Sequence, residues 1–446
     1  MASTYLTKTF SGAGNRKKWT WSAWVKKHQE SGSNTYNTPL FGTAGSSYDT
    51  ISFLTTPNAP KFFINVGGGF ERQTNALHRD CFGWYHLVVT FDSAQGTATD
   101  RLKVYINGVQ QSSFSDNTNG SQNGDSYINS TDAHQIGKQQ TLSRYGDFSM
   151  SHIHFCDGYA YAASDFGQTD STTGEWSIKT SPSVSYGTNG FFILKDGNSL
   201  TDESPNSNNW SVGGGTLTKT EDNPSNNFAT LNALNQVNGN ATLSYGNTQI
   251  AVSGNWLGAI STLGVFKGKW YFEFQSDGNN FGVGICKIGG RMSRTIELSA
   301  ANSGYLGKYN DSWSYYNNGG NSYKLTNDST TSHGSDFGNG DFGMFCLDAD
   351  NGKIWAGKNG TWFNSGGYAG NPASGTYAMF DSLDNSSGWH VGAFGENSTT
   401  KVNFGNGAFG STQLTGTTYQ DSAGRGVFKY QPPANFLALC TRNLNE

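Results

Sequence analysis

Helical periodicity is almost absent from this chain. What recurs is a short alternating or apolar run followed by a cluster of turn formers, which confines the fold to sheets of short strands. The strongest run is Trp84-Tyr85-His86-Leu87-Val88-Val89-Thr90-Phe91. Others at Trp19–Lys26, Thr50–Leu54, Lys61–Val66, Leu102–Ile106 and Phe148–Phe155 predict further strands. Leu102–Ile106 runs straight into Asn107-Gly108. An Asn-Gly pair after alternating apolar residues predicts a tight hairpin, because both turn residues must take positive φ.

The same pattern returns after an interruption. Between Gly187 and Asn227 one short run, Phe191-Phe192-Ile193-Leu194, is followed by Ser204-Pro205-Asn206, Gly213-Gly214-Gly215 and Asn223-Pro224-Ser225. This is turn and linker chemistry, so we place the domain boundary here: one domain over 1–186, a strand plus linker over 187–225, and a second domain over 226–446. In the second half the expected strands are 269–274, 282–286, 340–348, 353–358, 389–394 and 401–404. With 446 residues, each half is long enough to bury its own core. Aromatics at 14% argue against disorder, and 59 glycines supply the turns. The expected fold is all-β: two antiparallel jelly-roll β-sandwiches in tandem.

Several partner classes are disfavoured. The net charge is -4 and the longest basic run is Arg16-Lys17-Lys18, so the footprint of a nucleic-acid binder is missing. No stretch approaches the roughly 18 apolar residues of a membrane span. Met1-Ala2-Ser3-Thr4-Tyr5 lacks the features of a signal peptide, so synthesis in the cytoplasm is expected. Five widely spaced cysteines, without a CxxC pair, argue against a disulfide framework or a zinc site.

Trp21-Ser22-Ala23-Trp24-Val25-Lys26, Gly83-Trp84 through Asp92, Leu102 through Gly108 and Ile136-Gly137 make residues 1–185 resemble the laminin-G/concanavalin A-like superfamily. Gly268-Lys269-Trp270-Tyr271-Phe272-Glu273, Gly340-Asp341-Phe342-Gly343, and Leu347-Asp348 through Trp355 to Asn359-Gly360 make residues 226–446 resemble a SPRY domain. The order Asn15-Arg16-Lys17-Lys18-Trp19, Asp157-Gly158, Asp165-Phe166-Gly167, Ser185 through Phe191, Asn226 through Asn232 and Phe428 through Thr441 resembles structural proteins of marine tailed bacteriophages. That resemblance implies a virion component: a fibre, head decoration or tail-associated adhesin.

For glycoside hydrolysis, the acidic residues on one strand would sit at alternate positions, as in ExDxE, and no such motif occurs. Glu273 has no acidic residue two positions away, and Asp348 and Asp350 flank a turn. His152-Ile153-His154 puts two imidazoles on one strand face without a third ligand; the plainer expectation is two solvent-facing histidines beside a buried Ile153. Asp147, Asp157 and Asp165 are the residues to weigh for calcium, but no tight loop gathers the roughly six to eight oxygens it takes. No metal and no cofactor are therefore assigned.

Glycan binding is the chemistry the loops favour, because aromatic faces stand beside amides and hydroxyls. The richest stretch runs from Tyr305 to Tyr323, and its candidate binding residues are Tyr309, Asn310, Asp311, Trp313, Tyr316 and Asn317. Trp313 and Tyr315 are expected to alternate into the core while Tyr316 faces water. SPRY domains present their partner-binding surface on neighbouring loops, so that resemblance points the same way. The expected function is a non-enzymatic phage virion structural protein, exposed on the particle and contributing to host-surface or glycan attachment. Its expected partners are other virion proteins, further copies of itself in a trimer, and a host glycan, with no nucleic acid and no membrane insertion. The alternative is a free carbohydrate-binding module or a glycan-cleaving enzyme on a concanavalin-like fold.

Overall fold

The computed structural model describes residues 3–29, 37–45, 48–54, 60–139, 144–236, 240–291 and 304–444. The chain divides into two compact units, Met1–Lys219 and Thr220–Glu446. Almost every strand pairs antiparallel with its neighbours, as the short runs and tight turns require.

The first unit stacks a six-stranded sheet on an eight-stranded one. Lys18–Lys27 lies at the centre of the smaller sheet, between Phe148–Asp157 and Tyr85–Asp92. Its alternate residues Trp19, Trp21, Ala23 and Val25 enter the core, where Trp21 stacks on Phe41 of the other sheet at 6.0 Å. At the edge, Asn107 and Gly108 take φ of 48° and 81°, and Ile106 pairs with Val109, giving the expected hairpin.

The segment read as strand plus linker is built into this unit as far as Lys219. Phe191–Ile193 extends the six-stranded sheet, and Ser211–Gly214 pairs with Tyr5–Lys8 at the edge of the other. Between them Trp210 enters the core, 5.0 Å from Phe191 and 6.4 Å from Phe41. Leu200 and Leu217 pack against the same core, and these apolar anchors among polar turn residues decide where the segment lies.

The second unit pairs a seven-stranded with an eight-stranded sheet. Phe281, Val283 and Ile285 face inward from the first, and Phe274 meets Phe281 from the second at 5.9 Å. A strap from the C-terminal segment covers the outer face of the eight-stranded sheet. Phe428, Phe436, Ala438 and Cys440 pack there on Tyr271, Cys346 and Trp355. The fold is thus the expected pair of β-sandwiches, the second with an additional layer.

Candidate functional site

Sheet register assembles the main candidate site on the outer face of the seven-stranded sheet. Residues directly opposite one another across strands share a face. Gly258 lies opposite Phe394, Phe394 opposite Gly282, Gly282 opposite Tyr316, and Tyr316 opposite Tyr323. This row crosses five strands and points away from the core, because Phe281, Val283 and Tyr315 on the alternate face point into it. A Cβ at Gly282 would lie 2.1 Å from the Phe394 ring, so glycine there lets the ring lie flat across the strand.

Two further aromatics close around Phe394. Trp256 sits 5.0 Å from Tyr316 and 5.9 Å from Phe394, and Tyr305 sits 5.8 Å from Phe394. Phe394 is fully buried, while Trp256, Tyr305, Tyr316 and Tyr323 keep part of their surface in solvent. Polar groups edge the platform. Asn280 donates to Glu396 at 3.3 Å, and the Tyr305 hydroxyl donates to Asp328 at 2.6 Å. Burial, and then the negative Glu396, push the Tyr316 hydroxyl up to about 12, so it remains a neutral hydrogen-bonding group.

The residues picked from sequence are divided by this geometry. Tyr316 is in the platform. Tyr309, Asn310 and Asp311 occupy the turn before its strand. There Arg291 lies 5.0 Å from the Tyr309 ring, and an Asp311 oxygen accepts the Arg291 amide at 2.8 Å. Asn310 is exposed. Trp313 and Asn317 lie opposite Ile285 and Phe281, on the inward face with Tyr315. Trp313 packs edge-on against the buried Trp389 at 5.5 Å, and Asn317 is fully buried. Neither belongs to an outward glycan site. Tyr315 is buried as expected, Trp313 is half-buried against Trp389, and the alternation that buries Tyr315 carries Asn317 inward as well.

Trp256, Tyr323, Asn280, Glu396 and Phe394 complete the platform and were not singled out from sequence. The available signal was the glycine spacing in Gly282-Val283-Gly284, where one strand face is left bare beside aromatic-rich strands. Pairing Gly282 with the Phe394 ring that lies over it needs the register.

The other sequence candidates are structural. The strand carrying His152 and His154 is bulged between Ser151 and His154, and His152 takes φ of 49°. Rather than facing solvent, His154 is buried, stacks on Phe192 at 4.0 Å and bonds the Tyr186 hydroxyl at 2.9 Å. Burial lowers its pKa, keeping the ring neutral. Asp147 meets His28 at 2.8 Å, Asp157 accepts from Asn15, Asn129 and Asn189, and Asp165 caps a helical turn at Ala162. They do not converge, and among the described residues no group of three His, Cys, Asp or Glu side chains is placed to hold a metal.

Glu273 was missed as an organising residue. It is fully buried under the strap, and burial pushes its carboxyl up to about 7. One oxygen accepts from the Tyr271 hydroxyl and the Tyr430 amide, at 3.1 and 2.7 Å. The other accepts from Asn403 and the Lys429 amide, at 3.1 and 2.9 Å. Both oxygens are engaged and closed to solvent, so the group holds the strap and has no access to a glycan.

Residues 3–165 match the family model described as the concanavalin A-like lectin/glucanases superfamily. The first unit is therefore a concanavalin A-like β-sandwich. No curated protein matches the chain. Among solved structures, one titled "Stonustoxin structure" is similar at 19% identity and a TM-score of 0.28, covering 39% of this chain and 27% of that one. The chain thus spans little more than a quarter of the stonustoxin chain it matches. A crystal structure of the TRIM65 PSpry domain is similar at 14% identity and a TM-score of 0.29, covering 39% of this chain and 89% of that domain.

Proposed function

We propose that this chain is a non-enzymatic phage virion structural protein, a fibre, head decoration or tail-associated adhesin, which attaches the particle to host-surface glycan. The observation that carries the attachment role is the platform of Trp256, Tyr305, Tyr316 and Tyr323. Its rings are partly exposed on a rigid sheet and edged by Asn280, Glu396 and Asp328. Sugar rings offer apolar C–H faces to aromatic rings and hydroxyls to amides and carboxylates, so this surface matches both halves of their chemistry. Because Tyr316 and Tyr323 stand on paired strands, little of their side-chain freedom is lost on binding. The lectin/glucanase description of the first unit's family supports a carbohydrate role. The virion setting rests on the resemblance carried by the motifs from Asn15 to Thr441.

The test is retention on immobilised host-surface polysaccharide. Wild type is expected to be retained, and the Tyr316→Ala, Tyr323→Ala double variant to lose about tenfold or more in affinity. Unchanged retention of a folded double variant overturns the platform reading. Release of reducing ends from the polysaccharide by wild type overturns the non-enzymatic part.

A further inference from the structure

The width and charge of the platform narrow the class of glycan, an inference that rests on the platform reading above. The partly exposed rings run from Trp256 past Tyr316 to Tyr323, with centroid steps of 5.0 and 6.0 Å. That span is wider than one sugar ring and runs across the strands. Phe394 fills the row beneath, with Tyr316 stacked beside it at an interplanar angle of 16° and Tyr323 6.0 Å further on. A chain lying along this row would place successive rings over successive strands.

The charges are arranged unequally. Glu396 stands at the Tyr316 edge with the Asn280 and Asn318 amides, whereas Asp328 stands at the opposite strand end, on the Tyr305 hydroxyl. The nearby cations lie at that second end, beside Asp328. Arg291 is over Tyr309, and Lys308 sits 5.6 Å from Tyr305 and 5.8 Å from Tyr309. The charged side chains that act on the Tyr316 and Tyr305 hydroxyls are Glu396 and Asp328, and they push both hydroxyls up. A ligand carboxylate placed over Tyr316 would meet the same negative field in a partly desolvated setting.

We propose that the platform binds an uncharged glycan chain laid across the strands, and that Glu396, at the Tyr316 end, disfavours acidic sugars there. Titration calorimetry on the full chain tests this with β-linked hexamers of glucose, galactose and mannose, the hexuronate hexamers of the same sugars, and the free monosaccharides. At least one neutral hexamer is expected to bind, about tenfold or more tighter than its uronate counterpart and its monosaccharide. Glu396→Gln is expected to gain severalfold in uronate affinity at low ionic strength, fading at high salt, so that the ratio of neutral to uronate affinity narrows. Uronates binding as tightly as neutral hexamers overturn the charge inference and leave the platform standing. Monosaccharides binding as tightly as hexamers overturn the chain inference alone. If no probe binds, or if binding survives Tyr316→Ala with Tyr323→Ala, the platform reading falls and this inference falls with it.

Discussion

Glu273→Gln is expected to gain stability relative to wild type as pH rises from 4 to 8, although it removes a charge that four donors surround. Burial lifts this carboxyl from its ordinary 4.5 to about 7, so burial outweighs the two amides, Asn403 and Tyr271. As pH rises, the unfolded chain releases its proton near 4.5, whereas the folded chain keeps it until about 7. The contribution to stability is therefore complete below about 4.5, declines through that window and is gone above about 7. A gap of about 2.5 pH units, at about 1.4 kcal/mol each, makes the decline about 3 kcal/mol.

Glutamine has the shape of the protonated acid and no charge to desolvate. Its NH2 cannot accept from the two donors that meet one oxygen, so the variant should start below wild type near pH 4, and the difference should then move in its favour by about 2–3 kcal/mol by pH 7.5. Urea unfolding followed by tryptophan fluorescence, from pH 4 to 8, measures the difference curve. Taking variant minus wild type removes other buried carboxyls such as Asp49, which burial raises to about 6. A flat difference curve, or a variant less stable at pH 7.5 than at pH 4 relative to wild type, would refute the reasoning. Either result would mean that the surrounding donors compensate the ionised form fully.

Other substitutions test packing and assembly. Gly282→Ala sets a Cβ against the Phe394 ring and should cost about 1–3 kcal/mol in the same unfolding assay, with weakened glycan retention. Trp210→Ala should cost the first unit about 3–5 kcal/mol, whereas a linker tryptophan would cost under about 0.5. Light scattering on the full chain is expected to find a trimer or another closed symmetric assembly. A monomer at micromolar concentration would count against the virion role and favour a free carbohydrate-binding module.

The extent of sequence legibility differs between fold and site. Strand runs such as Thr50–Leu54 and Leu102–Ile106 occupy the same residues in the structure, because a period-two pattern between turn formers leaves one local solution. The Asn-Gly hairpins at Asn107 and Asn359 were legible for the same local reason: both turn residues need positive φ and both have it. The inward direction of Trp313 and Tyr315 also followed from alternation within one strand. Asn317 shares that face, yet its amide chemistry suggested a binding role because residue type and facing were read separately.

What lay beyond the sequence was decided between strands distant in the chain. Trp256, Tyr316 and Phe394 come from three strands or their flanks and meet only through the pairing register, which a one-residue slip would reverse. Trp210 reads as linker because its neighbours are polar, and only the core of the first unit supplies its partners. Glu273 reads as an ordinary strand acid until a strap more than a hundred residues away covers it. The sequence by itself determined where the strands and turns fall, since those follow from local sterics and polarity. Tertiary structure decided which rings share a face and which charges lose their water, since both depend on non-local register and burial.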